Sequence, residues 1–345
     1  MCKGMEVKFC LIGMGNVGTS FLKLLKEKRE SVSDKFNINT KLVAIFEYDG
    51  ALINSNGIDL DDLLRDYSNL RNNQYWKSNV KAQDLISTLD IDLCIETTPT
   101  KPDTGEPALT HILEALKNKI DVVSSNKAPF YLKYDIIKNL ANKMNCLVKF
   151  EATVASCVPA LSIKQNLIGN TITRIRAILN GTNNYILSRM TAEGVSFSVA
   201  LKEAQELGYA ETDPTLDING YDTAGKLVIL SNELLGWSKS IEDVSIKGIS
   251  KITSHALELA KLDGYVIKHL AIAENNDLIV EPRLVRRDSP LNVQGTLNVI
   301  ELQTKYAGSV IIMGKGAGGF EAGAAILNDL ISIAIERERI IKQKS

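Results

Sequence analysis

The chain of 345 residues is 45% hydrophobic and 23% charged, with 41 acids against 40 bases. That length accommodates two domains with separate cores, and the composition is that of an ordinary soluble globular protein. The balanced charge, with no lysine-rich run interleaved with aromatics, excludes a nucleic-acid-binding surface, and no apolar run is long enough to cross a bilayer.

The opening Met1-Cys2-Lys3-Gly4-Met5 lacks the charged and apolar regions of a signal peptide, so a cytoplasmic location is expected. Val7 to Ile12 reads as a mostly buried strand running directly into Gly13-Met14-Gly15-Asn16-Val17-Gly18. A helix follows to about Glu30, with Phe21, Leu22, Leu24 and Leu25 apolar. A strand, a glycine triplet at this spacing and a helix make a dinucleotide fingerprint. Gly13 makes the turn, Gly15 lets backbone approach a pyrophosphate, and Gly18 lets the helix pack closely. The helix N-terminus presents N–H groups and a positive dipole end to the phosphates.

Leu42 to Phe46 is a second strand ending in Glu47, placed to accept from the ribose hydroxyls of NAD. The Ser31–Thr40 stretch reads as an insertion before it, which leaves Asp49 as a substitute acid. No arginine follows at once to meet a 2′-phosphate. Further strands cover Ile91–Thr97, Asp121–Ser124 and Leu147–Phe150, with helices near Ala108–Asn118 and Tyr131–Lys143. This alternation predicts an α/β fold, a Rossmann-type doubly wound parallel sheet with ligands at the carboxyl ends of its strands. Thr97, Thr98, Lys127 and Glu151 all lie at such ends.

From about Pro159 the pattern changes. Strands are expected at Thr173–Leu179, Tyr265–Ala273, Leu278–Arg286, Leu297–Gln303 and Val310–Met313. Helices are expected through Met190 after the turn Asn180–Tyr185, at Val199–Leu207 and at Gly220–Leu235. A glycine-rich start, Gly316 to Gly319, leads a last helix through about Ile341. The expected organisation is a nucleotide-binding domain over 1–157 and an α+β catalytic and dimerisation domain over 158–314. Residues 315–345 then form a C-terminal helix returning to the first domain.

Cys2, Cys10, Cys94, Cys146 and Cys157 form no CxxC pair and are odd in number, which fits a reducing compartment. His111, His255 and His269 have no ligand spacing, so no histidine zinc site is expected. The chemistry concentrates elsewhere. Asp222 and Lys226 are four apart and share a helix face. Beside a nicotinamide, such a pair can hold and protonate a carbonyl oxygen as hydride arrives; by itself it equally describes a weak surface salt bridge.

The pieces resemble homoserine dehydrogenase, in order and over nearly the whole length. They are Gly13 to Gly18, Glu96-Thr97-Thr98-Pro99-Thr100 with Thr104 to Ala108, Ser125-Asn126-Lys127, Phe150 to Val154, Asn180 to Tyr185, Leu207 to Pro214, and Asp217 to Lys226. The first is generic to nucleotide enzymes; the last three together are specific to that family. The resemblance implies reduction of aspartate 4-semialdehyde to homoserine with NADH or NADPH, within threonine and methionine biosynthesis. It implies Lys226 as proton donor, Asp222 as holder of substrate and lysine, and Glu211 as the carboxylate for the substrate's amino group. Lys127 is similar to the lysine beside nicotinamide and substrate. Gly181, Thr182, Gly208 and Tyr209 are similar to the turns that touch the ligand. Gly13, Gly15, Asn16, Val17, Gly18, Glu47, Thr97, Thr98, Lys127 and Gly318 are the implied cofactor contacts. Glu151, with the carbonyls of Val154, Ser156 and Val158, is similar to the family's sodium site.

The chain departs from the family pattern near Cys157, where glycine is usual, and near Asn183, where threonine is usual. It also departs at Glu321-Ala322-Gly323, where Pro-Thr-Ala is usual and the threonine hydroxyl is missing. No regulatory ACT domain or kinase is expected, and therefore no threonine inhibition through a separate site. Two other readings share the fold: another nicotinamide-dependent amino-acid dehydrogenase, and a non-catalytic nucleotide sensor. The Glu211, Asp222 and Lys226 set argues against the first, and the presence of Lys127 and Lys226 against the second. NAD is favoured over NADP because Glu47 repels a 2′-phosphate, and a homodimer through the second sheet is expected.

Overall fold

Val7, Phe9, Cys10, Leu11 and Ile12 have both neighbouring faces to fill, and they form the buried part of β1 (Met5–Ile12). The computed structural model describes residues 4–344, so Cys2 and most of the opening pentapeptide lie outside the described residues. Two compact units are seen: Met1–Thr153 with Gly318–Ser345, and Val154–Ala317.

In the first unit β1 is the middle strand of a seven-stranded sheet. The others are β2 (Ile38–Glu47), β3 (Gly50–Ile53), β4 (Trp76–Ser78), β5 (Leu93–Glu96), β6 (Asp121–Ser124) and β7 (Val148–Lys149), in the order β4-β3-β2-β1-β5-β6-β7. The five strands from β2 to β7 in that order are parallel. The chain leaves β1 toward β2 on one side and returns to β5 on the other. That reversal opens a crevice at the carboxyl ends of β1 and β5. To this parallel sheet β3 and β4 add an antiparallel edge beside β2 that was not expected. Strands of four and three residues are too short to show a period of two.

The Ser31–Thr40 insertion is a correction. The first helix runs Asn16–Phe36, and β2 begins at Ile38. Val32 is buried and continues the stripe of Phe21, Leu22 and Leu25 past Glu30, where the helix was expected to end. Asn37, at φ 56, ends the helix in the left-handed conformation and donates its N–H to the Ser33 carbonyl.

The last helix, Gly319–Lys344, completes this core. Its Ile326, Leu330 and Ile333 pack with Phe9, Phe21, Leu22 and Leu25. A Cβ at Gly323 would lie 2.8 Å from the Phe21 backbone nitrogen, so the crossing of the two helices leaves no room for a side chain. That accounts for one of the departures from the family pattern. Arg337 pins the same helix to the sheet, pairing its Nε and Nη2 with the buried Asp121 carboxylate and bonding the Asn145 carbonyl.

The second unit is a six-stranded sheet in the order β13-β12-β8-β10-β11-β9. Its strands are β8 (Ile172–Ile178), β9 (Val244–Ile246), β10 (Tyr265–Glu274), β11 (Asp277–Arg286), β12 (Leu297–Thr304) and β13 (Gly308–Lys315). Neighbours are antiparallel except β9 beside β11. The Asn275-Asn276 turn between β10 and β11 has positive φ at both residues, as a two-residue hairpin requires. The longer helices are Gly181–Glu193, Phe197–Glu206, Tyr221–Leu230 and Ser254–Leu262. The expected single helix to Leu235 instead changes to a wider π turn over Ser231–Leu235, and Gly236 closes it. The 254–262 helix and β9 are absent from the sequence reading.

Candidate active site

The nucleotide end of the first unit is built on the turn after β1. Gly13 sits at φ +91, and a Cβ there would lie 3.1 Å from the Thr97 carbonyl carbon and oxygen and from the Thr98 nitrogen. The space around Gly15 is open to 4 Å, which fits the close approach of a pyrophosphate. Thr97 Oγ1 donates to the carbonyls of Ile12 and Gly13, at 3.0 and 2.5 Å, joining the ends of β1 and β5. Glu47 Oε1 accepts the Met14 N–H at 2.5 Å, so the acid at the end of β2 is held against the glycine turn. Asp49 does not share that position. It pairs with Arg71, a contact that sequence adjacency could not reveal.

Beneath the crevice Glu96 is fully buried. Its carboxylate accepts the Thr98 N–H at 2.7 Å and the Thr98 hydroxyl, and meets His111 Nδ1 at 2.7 Å. Asn126 Nδ2 donates to the carbonyls of Thr98 and Pro99, at 3.0 and 3.3 Å. This ties the loops after β5 and β6 together. Lys127 caps the short helix Ala128–Leu132 in the second of these loops and is half-buried. Asn16 and Val17 open the first helix, and Gly318 precedes the last, where Asn16 Oδ1 lies against Gly319. The residues expected at the cofactor therefore all belong to one unit. The first turn of the helix Asn16–Phe36 presents its backbone N–H groups at the end of β1, which fits the phosphates of a dinucleotide.

In the second unit the acid–amine set is a buried cluster. Gly220 is left-handed at φ +90, and a Cβ there would lie 3.0 Å from Ile246 and 3.1 Å from His269. The corner it makes joins the short helix Thr215–Ile218 to the helix Tyr221–Leu230. It aims two carboxylates at one amide: Asn180 Nδ2 donates to Asp217 Oδ1 at 2.6 Å and to Asp222 Oδ2 at 2.9 Å. Lys226 Nζ donates to Asp222 Oδ2 at 2.6 Å and to the Leu179 carbonyl at 2.7 Å. Lys226 is 8% exposed, so this is no solvated surface pair. Thr182 Oγ1 donates to the Tyr209 carbonyl at 2.6 Å and reaches Asp217 Oδ2 at 3.2 Å, which connects the turns at 181–182 and 208–209.

Asp217 is the member that the sequence reading missed. Burial, and then the charge of Asp222, raise its carboxyl above the usual range. The signal was present in the sequence as a second acid beside Gly220, but its partners Asn180 and Thr182 lie more than thirty residues away. Glu211 is exposed. Tyr209 is half exposed, with its ring centroid 4.9 Å from that of Tyr185.

The expected sodium ligands fall on both sides of the division between units. Glu151 belongs to the first, where its N–H is held by Asp329 Oδ2 at 2.9 Å. Val154, Ser156 and Val158 belong to the second, where Ala155 and Ser156 are both left-handed. The described residues contain no group of three or more His, Cys, Asp or Glu placed to hold a metal.

The family model described as homoserine dehydrogenase matches residues 159–331, and that of the homoserine dehydrogenase NAD-binding domain matches 13–151. Homoserine dehydrogenase of Methanocaldococcus jannaschii is 45% identical over 94% of this chain and 97% of its own. The NAD(+)-dependent homoserine dehydrogenase of Pseudomonas canavaninivorans is 35% identical over 95% of this chain and 96% of its own. A solved hyperthermophilic archaeal homoserine dehydrogenase in complex with NADPH superposes with a TM-score of 0.84 at 27% identity, covering 96% of this chain and 98% of that one.

His269 braces the cluster from behind. Its Nδ1 accepts from Asn183 Nδ2 at 3.0 Å and its Nε2 donates to the Lys247 carbonyl at 3.0 Å, so a proton on Nδ1 would face a donor. Burial lowers this imidazole to about 4, against 6.5 for a free histidine. Between those values the unfolded chain binds the extra proton. The stability is therefore complete above about pH 6.5 and lost as pH falls toward 4, by about 3 kcal/mol. Urea unfolding across that range should show this slope in the wild type and a flatter one in His269→Gln. Equal slopes would exclude the histidine as its source.

Proposed function

The chain belongs to the homoserine dehydrogenase family, and from that premise we propose how its own residues interconvert L-homoserine and L-aspartate 4-semialdehyde with NAD or NADP. A bound nicotinamide supplies the hydride in the reducing direction and takes it up in the other. As hydride reaches the aldehyde carbon, negative charge collects on its oxygen. The Lys226 ammonium stabilises that charge and gives up the proton, leaving the alcohol. In the oxidising direction the lysine amine takes the hydroxyl proton. The observation that carries this reading is the buried ammonium fixed by Asp222 at 2.6 Å and by the Leu179 carbonyl at 2.7 Å. Asp222 keeps it charged and aimed.

In the same reading Glu211 binds the substrate's amino group, and Gly181, Thr182, Gly208 and Tyr209 line the ligand. Asp217 supports the set indirectly by fixing Asn180 and Thr182. Lys127 supplies a second ammonium near nicotinamide and substrate. Gly13, Gly15, Asn16, Val17, Gly18, Thr97, Thr98 and Gly318 hold the dinucleotide. Glu47, fixed at the glycine turn, accepts from the ribose and disfavours a 2′-phosphate. A sodium ion at Glu151 and the carbonyls of Val154, Ser156 and Val158 completes the proposal, and no step is routed through it.

Homoserine oxidation followed with NAD and NADP tests the assignment. Lys226→Met is expected to lower kcat by roughly 10²–10⁴-fold with NADH affinity almost unchanged. Lys127→Ala should affect both cofactor and substrate terms. A Lys226→Met variant retaining more than about a tenth of kcat would remove the proton-donor role. Efficiency should be higher with NAD, and equal or better efficiency with NADP would reverse the cofactor assignment.

We also propose a homodimer through the six-stranded sheet, on the face where Met313 of β13, paired with Val299, exposes 57% of its surface. Light scattering at micromolar concentration should give twice the chain mass; a monomer would refute it. Sodium should raise the melting temperature above that in equal potassium, and coincident curves would dismiss the ion.

A further inference from the structure

The chain that leaves β2 makes a small charged platform directly after Glu47. Asp49 receives Arg71 through two bonds, Nε to Oδ2 at 2.6 Å and Nη2 to Oδ1 at 3.0 Å. The guanidinium carbon also stands 5.7 Å from the centroid of the Tyr48 ring and 5.7 Å from that of Trp76. The antiparallel edge brings these four residues together: β3 follows Asp49 at once, and β4 carries Trp76 back beside it. A forked bond and two ring faces fix a guanidinium far better than a lone exposed ion pair does. The hydrogen bond to Asp49, and then its charge, raise Arg71 above its ordinary range.

In a sheet of this kind the acid ending the second strand takes the ribose hydroxyls, and a nearby arginine admits a 2′-phosphate. This chain has both parts, but the fork of Arg71 is turned into Asp49. Two carboxylates against one guanidinium leave the platform with a net charge of −1, which repels a phosphate dianion. We propose that Asp49 is a specificity residue for the dinucleotide. It holds the Arg71 fork that would otherwise receive a ribose 2′-phosphate, and so turns the site toward NAD. The inference rests on the nucleotide reading above and adds to it the residue pair that sets the choice. Tyr48, 88% exposed beside the pair, is an open ring face for the adenosine end.

Dissociation constants for NADH and NADPH, measured by nucleotide fluorescence without substrate, test this on the full chain. Asp49→Asn should tighten NADPH by about tenfold, the scale of one charge-assisted fork, and leave NADH within about threefold. The double variant Asp49→Asn/Arg71→Gln should lose that gain while still binding NADH. An unchanged NADPH-to-NADH ratio in Asp49→Asn would overturn the inference, as would a double variant that keeps the gain. In both cases intact NADH binding leaves the nucleotide reading standing. A wild-type chain that bound neither nucleotide would overturn that reading, and this inference with it.

Discussion

The second unit is organised around the burial of two carboxylates beside a single ammonium. Charges removed from water are costly unless their partners are close and their remaining hydrogen bonds are met. Asp217, Asp222 and Lys226 meet this condition through neutral groups from another part of the chain: the Asn180 amide, the Thr182 hydroxyl and the Leu179 carbonyl. The requirement dictates the local fold. Asn180 must cap the helix Gly181–Glu193 and still have its amide free for both acids, so its Oδ1 takes the cap while Nδ2 takes the carboxylates. Gly220 must turn sharply enough to bring both acids within reach. His269 must stay neutral to accept from Asn183, which in turn fixes the Asp217 carbonyl. The imbalance that remains is visible in the raised Asp217 carboxyl.

Much of this was legible in the sequence where the physics is local. The strand–glycine–helix order after Val7 and the i,i+4 spacing of Asp222 and Lys226 depend only on neighbours along the chain, and both could be read directly. What escaped depends on contacts distant in sequence. Asp217 is an ordinary acid until Asn180 and Thr182 are folded against it, and Arg71 is an ordinary surface base until β3 and β4 carry it back to Asp49. The helix beyond Glu30 was hidden for a related reason. Its outer face there is charged, and the single buried Val32 marks its inner face. Short edge strands and the 254–262 helix carry too few residues to display a period.

Gly323 shows how a departure from a family pattern can be physical rather than accidental. Its position touches the backbone of Phe21, where a side chain would push the first and last helices apart. Those two helices share one apolar cluster with β1, so packing across the crossing keeps the glycine turn and the end of the last helix in fixed register.

That shared cluster also has a bearing on the order of events at the ribosome. The nucleotide unit is written in two pieces, and the 164 residues of Val154–Ala317 are made between them. Until Ile326, Leu330 and Ile333 emerge, the flank of Phe21, Leu22 and Leu25 that they cover has no partner. At about 5–20 residues per second the intervening stretch takes roughly ten to thirty seconds to synthesise. The antiparallel unit, continuous in the chain, completes its own core first. The sheet that begins the sequence is therefore sealed last, and for those seconds the nascent chain carries an uncovered apolar helix face of the kind that chaperones bind.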